Sequence, residues 1–165
     1  MSHVDTILEQ WRRERPDLDV TPMGLTGRLK RVGRLLSHRM EGVFARHDLT
    51  LASFDVLATL RRAGPPFRLS PGDLMANTMV TSGTMTHRVD QLVRAALVER
   101  LKNPEDGRSV LIGLTPKGRR VIDAAITDHV ENLHRMTQPL NPEEFRQLDA
   151  LLERYLVALE AEQES

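Results

Sequence analysis

Between Thr81 and Gly118 lie most of the side chains in this sequence whose types and spacing suit recognition chemistry. Met85, Val89, Leu92 and Ala96 recur at helical spacing, and the face opposite them carries Gly83, Thr84, His87, Asp90, Gln91 and Arg94. Amide and guanidinium groups on one helix face can make paired hydrogen bonds to planar base edges, Gln to adenine and Arg to guanine, and a Thr methyl suits a thymine methyl. Ser82 and Thr86 fall nearer the rim of that face, where hydroxyls and free N-terminal N–H groups suit phosphate oxygens. Arg108 sits in a turn beside Asp106, which can orient its guanidinium toward a minor groove or a phosphate. Any one of these residues, taken alone, also fits a solvated surface position. Their grouping on one face and one turn is the signal.

Such groups must be held by rigid elements. Thr81 and Ser82 supply side-chain oxygens for the start of the helix that bears them. After it the period changes: Leu97 to Lys102 and Ser109 to Leu114 are short, mainly apolar runs separated by Asn103-Pro104-Glu105-Asp106-Gly107-Arg108, which is hairpin-turn chemistry. Ser70-Pro71 starts a two-turn helix just before, ending near Asn77, so two short helices joined by a turn lead into a basic-tipped hairpin. That layout predicts a winged helix-turn-helix, mainly α with a small β-wing and about six to seven helices in the chain.

Net charge is zero, but its distribution is polarised. From Ser82 to Arg120 eight Lys/Arg stand against four acids, and from Val130 to Ser165 three Arg stand against eight acids. A basic centre suits a polyanionic partner, double-stranded DNA, and the acidic end does not compete for it. With no cysteine, disulfides, cysteine-bound zinc and thiol redox sensing are excluded. No apolar run approaches the roughly 20 residues needed to cross a bilayer, and the N-terminus lacks a signal peptide's apolar stretch, so the expected location is cytoplasmic.

The rest of the chain reads as helices with unpartnered stripes. Val4, Ile7, Leu8 and Trp11 mark a short helix from about Asp5 to Glu14, for which Trp11 reads most simply as a hydrophobic anchor. Residues 1–22 form an N-terminal extension helix and linker, and 23–165 the main domain, with the winged helix-turn-helix at about 50–115 and long helices at about 23–47 and 116–163. Gly24, Gly27, Gly33 and Gly42 weaken the first long helix and call for close helix contact. Asn141 with Glu144 three residues on predicts a cap for the last helix, where Phe145, Leu148, Leu152, Tyr155 and Leu159 form a stripe that wants a partner helix.

This order of elements resembles the MarR family of bacterial transcriptional regulators over about Leu25 to Leu159. The residues that carry the resemblance are Asp106-Gly107-Arg108 leading to Leu114-Thr115-Pro116-Lys117-Gly118, together with Leu69-Ser70-Pro71, Asp73-Leu74-Met75-Ala76 and Ser82-Gly83-Thr84-Met85-Thr86. The resemblance implies a DNA-binding regulator, a repressor by expectation, that works as a homodimer through its first long helix and last two helices on a pseudo-palindromic operator. One departure is Ala96, where the family usually has Gly; if the backbone there takes positive φ, Ala carries strain of about 1 kcal/mol.

A narrower resemblance is to the urate-responsive branch of the same family. It rests on the Trp-bearing first helix, Glu14-Arg15-Pro16-Asp17-Leu18-Asp19, Pro22-Met23, Phe54-Asp55-Val56-Leu57-Ala58-Thr59-Leu60-Arg61 and Gly83-Thr84-Met85-Thr86 with Arg88-Val89-Asp90. It implies a planar purine anion, urate, bound by Trp11, Asp55 and Arg88, with Asp55 and Arg100 coupling that site to the recognition helix. Periodicity alone does not nominate Asp55, and citrate, aconitate or an aromatic carboxylate also suits an Arg-bearing site. The missing cysteine excludes the peroxide-sensing branch.

No catalytic motif accompanies these features. There is no phosphate loop, no dinucleotide fingerprint and no nucleophile elbow, and His129 and His134 are five residues apart rather than the four that stack two metal ligands on a helix face. Neither an enzyme, a metal nor a cofactor is expected. The remaining alternative is a dimeric winged-helix module that binds protein, for which a steep salt dependence of DNA binding is the discriminating observation.

Overall fold

The computed structural model describes residues 2–78, 85–104, 106 and 109–163. Among them the elements run α1 (His3–Glu14), α2 (Thr21–Ala45), α3 (Leu51–Arg62), β1 (Arg68–Leu69), α4 (Pro71–Asn77), α5 (Met85–Arg94), β2 (Val98–Lys102), β3 (Val110–Leu114), α6 (Pro116–Thr137) and α7 (Pro142–Gln163). The mainly helical architecture with a small β-wing is the one the sequence predicts.

Helix starts follow the capping residues. Thr50 Oγ1 accepts the Ser53 N–H at 3.1 Å, Ser70 Oγ the Asp73 N–H at 3.0 Å, and Thr115 Oγ1 the Gly118 N–H at 2.9 Å. Asn141 Oδ1 accepts from the Glu143 and Glu144 N–H groups at 2.9 Å, and Glu144 Oε2 accepts the Asn141 N–H at 2.8 Å, the reciprocal cap expected there. Each such cap contributes about 1 kcal/mol to its helix.

Several bounds differ from the sequence reading: α1 starts at His3 rather than near Asp5, and α2 ends at Ala45 rather than near 47. The first long helix starts at Thr21, so Pro22 belongs to its opening turn and not to a linker. Proline lacks an N–H, but the first turn has no carbonyl waiting for one. A further difference is β1, which no periodicity announced.

The sheet order is β1-β3-β2, antiparallel throughout, with Val98 opposite Leu114 and Lys102 opposite Val110. β1 adds Arg68 opposite Gly113 and Leu69 opposite Ile112. One core joins the elements from α2 to α6: Phe44, Val56, Leu57, Leu60, Leu74, Val98 and Ile122 are almost inaccessible to solvent. Phe67, at φ 59°, has the guanidinium groups of Arg61 and Arg119 5.0 and 4.7 Å from its ring centre, and Asp123 takes Arg61 Nε at 2.6 Å. These contacts fasten the loop before β1 to α3 and α6.

α1 docks on α2 through a small separate cluster of Val4, Leu8 and Val20, with an ion pair between Asp5 and Arg28. The close contact predicted at glycine holds at Gly24, where an added Cβ would stand 3.0 Å from Leu8, but Gly33 faces open space. No described side chain of α7 is buried. Leu148, Leu151, Leu152, Tyr155, Leu156 and Leu159 all face outward on that helix.

Candidate nucleic-acid interface and effector site

Helix α5 carries its two chemistries on opposite sides. Met85, Val89 and Leu92 point into the core, at 7%, 4% and 3% exposure, while Thr86, His87, Gln91 and Arg94 are exposed. This is the division expected of a helix that docks by one face and reads by the other. Ser82, Thr84 and Arg108, also expected at the interface, lie outside the described residues.

The end of α5 is fixed by a cap that explains the departure at Ala96. Ala96 takes φ 57°, its N–H donates to Val93 O at 2.9 Å, and the Leu97 N–H donates to Leu92 O at 2.9 Å. That pair of bonds is a Schellman cap, in which the left-handed residue is normally Gly. The helix, whose end the sequence left open, stops at Arg94, and Ala96 closes its cap with strain.

The Leu114-Thr115-Pro116-Lys117-Gly118 segment turns out to clamp that cap. Thr115 Oγ1 donates to Ala96 O at 2.7 Å, and Lys117 Nζ donates to Ala95 O at 2.9 Å. Gly118 is required by close approach: a Cβ there would lie 1.9 Å from Leu97 O. The orphan carbonyls at the C-terminal end of α5 are thus bonded to the first turn of α6, so the recognition helix and the long helix move as neighbours. Sequence reading recognised the motif without seeing this task, which only the meeting of α5 and α6 reveals.

The proposed effector residues are distributed as follows. Arg88 lies half-buried on the flank of α5, and its Nη1 is buried with no hydrogen-bond partner among the described residues. Asp55 is buried at 7% exposure on α3, which packs against α5. Trp11 is 42% exposed on the last turn of α1, so it is not the buried anchor that its spacing suggested. α1 makes its main contact with α2. Arg100, expected to couple with Asp55, forms an ion pair with Asp90, Nη2 to Oδ1 at 2.8 Å. Asp90 follows Arg88 by two residues on the same helix, which brings its carboxylate to β2 and ties the wing to α5.

Behind this region His129 of α6 sits 5.0 Å from the ring of Phe44 and 5.1 Å from that of Phe54, which stack on each other at 4.1 Å. Burial pushes its pKa below the usual histidine value, and its Nδ1 has no partner among the described residues. Next to it in sequence, Asp128 places Oδ2 2.9 Å from Nε2 of His47, on the segment after α2.

Two short helices, the second buried on one side and polar on the other, followed by the β2–β3 hairpin that pairs back with β1, define a winged helix-turn-helix protein. The MarR family model matches residues 47–109. The chain is 42% identical over 151 residues to the HTH-type transcriptional regulator PecS of Dickeya dadantii, covering 92% of this chain and 91% of that one. Among solved structures, a cysteine-to-serine mutant of Escherichia coli MarR complexed with operator DNA superposes with a TM-score of 0.70 at 28% identity, covering 88% of this chain and 97% of that one. Bordetella bronchiseptica BpsR, whose DNA binding is regulated by 6-hydroxynicotinic acid, superposes with a TM-score of 0.69 at 25% identity, over 79% of this chain and 91% of that one. The chain belongs to the MarR family: it is a DNA-binding transcriptional regulator and not an enzyme.

Proposed function

We propose that the protein is a homodimeric repressor that binds a pseudo-palindromic operator and leaves it when a small planar anion, urate, occupies a site at Arg88. The observation that carries the effector is the buried Nη1 of Arg88, a charged donor without a partner among the described residues. An unsatisfied buried guanidinium N–H costs about 1–3 kcal/mol or more, and an anion removes that cost. Trp11 supplies an aromatic plate that can close over a planar ligand.

The route from ligand to DNA is short. Arg88 shares α5 with the exposed Thr86, His87, Gln91 and Arg94. A second negative charge beside Arg88 repels Asp55 and competes with the Asp90–Arg100 pair that ties α5 to the wing. A coupling of about 1–3 kcal/mol suffices to weaken operator binding 5- to 150-fold.

BpsR shows that a small aromatic anion can regulate a protein of this fold. The same unpartnered Nη1 also favours citrate, aconitate or an aromatic carboxylate, and a titration against operator-bound protein ranks them. Urate is the effector if it alone releases the operator and if Arg88→Ala binds DNA normally but no longer responds; release unchanged in Arg88→Ala removes the site.

A further inference from the structure

The groove between α1 and the first half of α2 takes no part in the reading above. It encloses about 280 Å³ over a floor of Val4, Ile7, Leu8 and Met23. Ile7 and Met23 remain 39% and 46% exposed there, more than apolar side chains in a finished core. Along its lip stand Lys30, Arg31 and Arg34. Among the described residues none of these three has a carboxylate within ion-pair distance, and Asp5 on α1 is taken by Arg28.

The cations reflect the make-up of α2, where Arg28, Lys30, Arg31, Arg34 and Arg39 are opposed by Glu41 alone. At 3.6 residues per turn, Met23, Gly27, Lys30, Arg31 and Arg34 share one side of α2, and Leu25, Leu29, Val32 and Leu36 the other. The second stripe faces α7 at Leu29 and α6 at Val32 and Leu36, beside Met136. A dimer built on that stripe leaves the α1–α2 groove open.

We propose that this groove binds a small amphipathic organic anion, its apolar body on the Val4–Met23 floor and its carboxylate against Lys30, Arg31 and Arg34. Apolar contact supplies area-dependent affinity and the cations supply orientation, the division of labour usual in small-molecule sites. A volume at the low end of such sites selects a short alkyl or single-ring body. A ligand here spans α1 and α2, which meet through Val4 and Leu8 against Gly27 and Gly24 and through the Asp5–Arg28 ion pair. Trp11, three residues beyond Leu8 on the same helix, reports the event.

Octanoate titrated into the full-length protein, followed by Trp11 fluorescence and calorimetry, tests this site. The expected result is saturable binding, with octanol at least about tenfold weaker and the doubly substituted Arg31→Glu, Arg34→Glu protein also weaker by about tenfold or more. Both substitutions are on the surface of α2, and circular dichroism checks that the helix persists. Arg88→Ala should keep octanoate binding while losing the urate response, which separates this site from the effector site. Equal binding of octanol, unchanged binding in the double variant, or loss of octanoate binding in Arg88→Ala would each overturn the proposal.

Discussion

At the scale of residues, three side chains carry consequences that their types alone do not announce. Ala96 occupies the left-handed position of the α5 cap, where a Cβ is strained. Ala96→Gly should therefore stabilise the protein by about 0.5–1 kcal/mol, the relief of strain exceeding the added chain entropy. Thermal unfolding of the two proteins checks this, and a lower Tm for the glycine form would mean that the cap is not strained. His129 has the opposite character, a base kept neutral by burial among Phe44 and Phe54. Its folded pKa is depressed, so the unfolded chain binds the proton more readily. Its contribution to stability is then complete above the unfolded value near 6.5 and declines as pH falls through that value toward the folded pKa. Melting curves from about pH 7.5 to about pH 5.5 should show a loss of Tm that is smaller in His129→Leu than in the parent.

At the scale of elements, the governing arrangement is the clamp between the end of α5 and the start of α6. Gly118→Ala places a methyl 1.9 Å from Leu97 O and forces those two segments apart. The expected cost is about 1–3 kcal/mol in unfolding free energy, with operator affinity falling because α5 loses its fixed angle. Denaturant unfolding and a binding isotherm measure the two effects. Much of this element structure was legible in the sequence: Ser70 and Asn141, read as helix starts, each hold the bond their type suggests. What was not legible has physical reasons. β1 is two residues long, too short for an alternating pattern, and it follows Phe67 at a positive φ that a bulky residue seldom adopts. Asp90 looked like a DNA-facing residue because a helical wheel knows nothing of β2, which brings Arg100 to it. The burial that leaves Arg88 Nη1 unpartnered likewise depends on tertiary packing and not on spacing.

At the scale of the whole molecule, the exposed face of α7 and the polarised charge define how the protein works as a unit. An apolar stripe from Phe145 to Leu159, exposed along its length, is too large to leave in water. Leu152→Asp and Leu156→Asp together should shift the protein from dimer to monomer in sedimentation and weaken operator binding, since a two-fold dimer engages two half-sites at once. Basic residues from Ser82 to Arg120 should make that binding steeply dependent on salt, each phosphate contact adding about −0.9 to the logarithmic slope. Effector-controlled operator binding is tested most directly by quantitative footprinting on the DNA upstream of the protein's own gene, with and without urate on the order of millimolar. The expected result is two symmetric protected half-sites about one helical turn apart that are released by urate in the parent protein and retained in Arg88→Ala. Absence of protection, or protection that urate leaves unchanged in the parent protein, would contradict it.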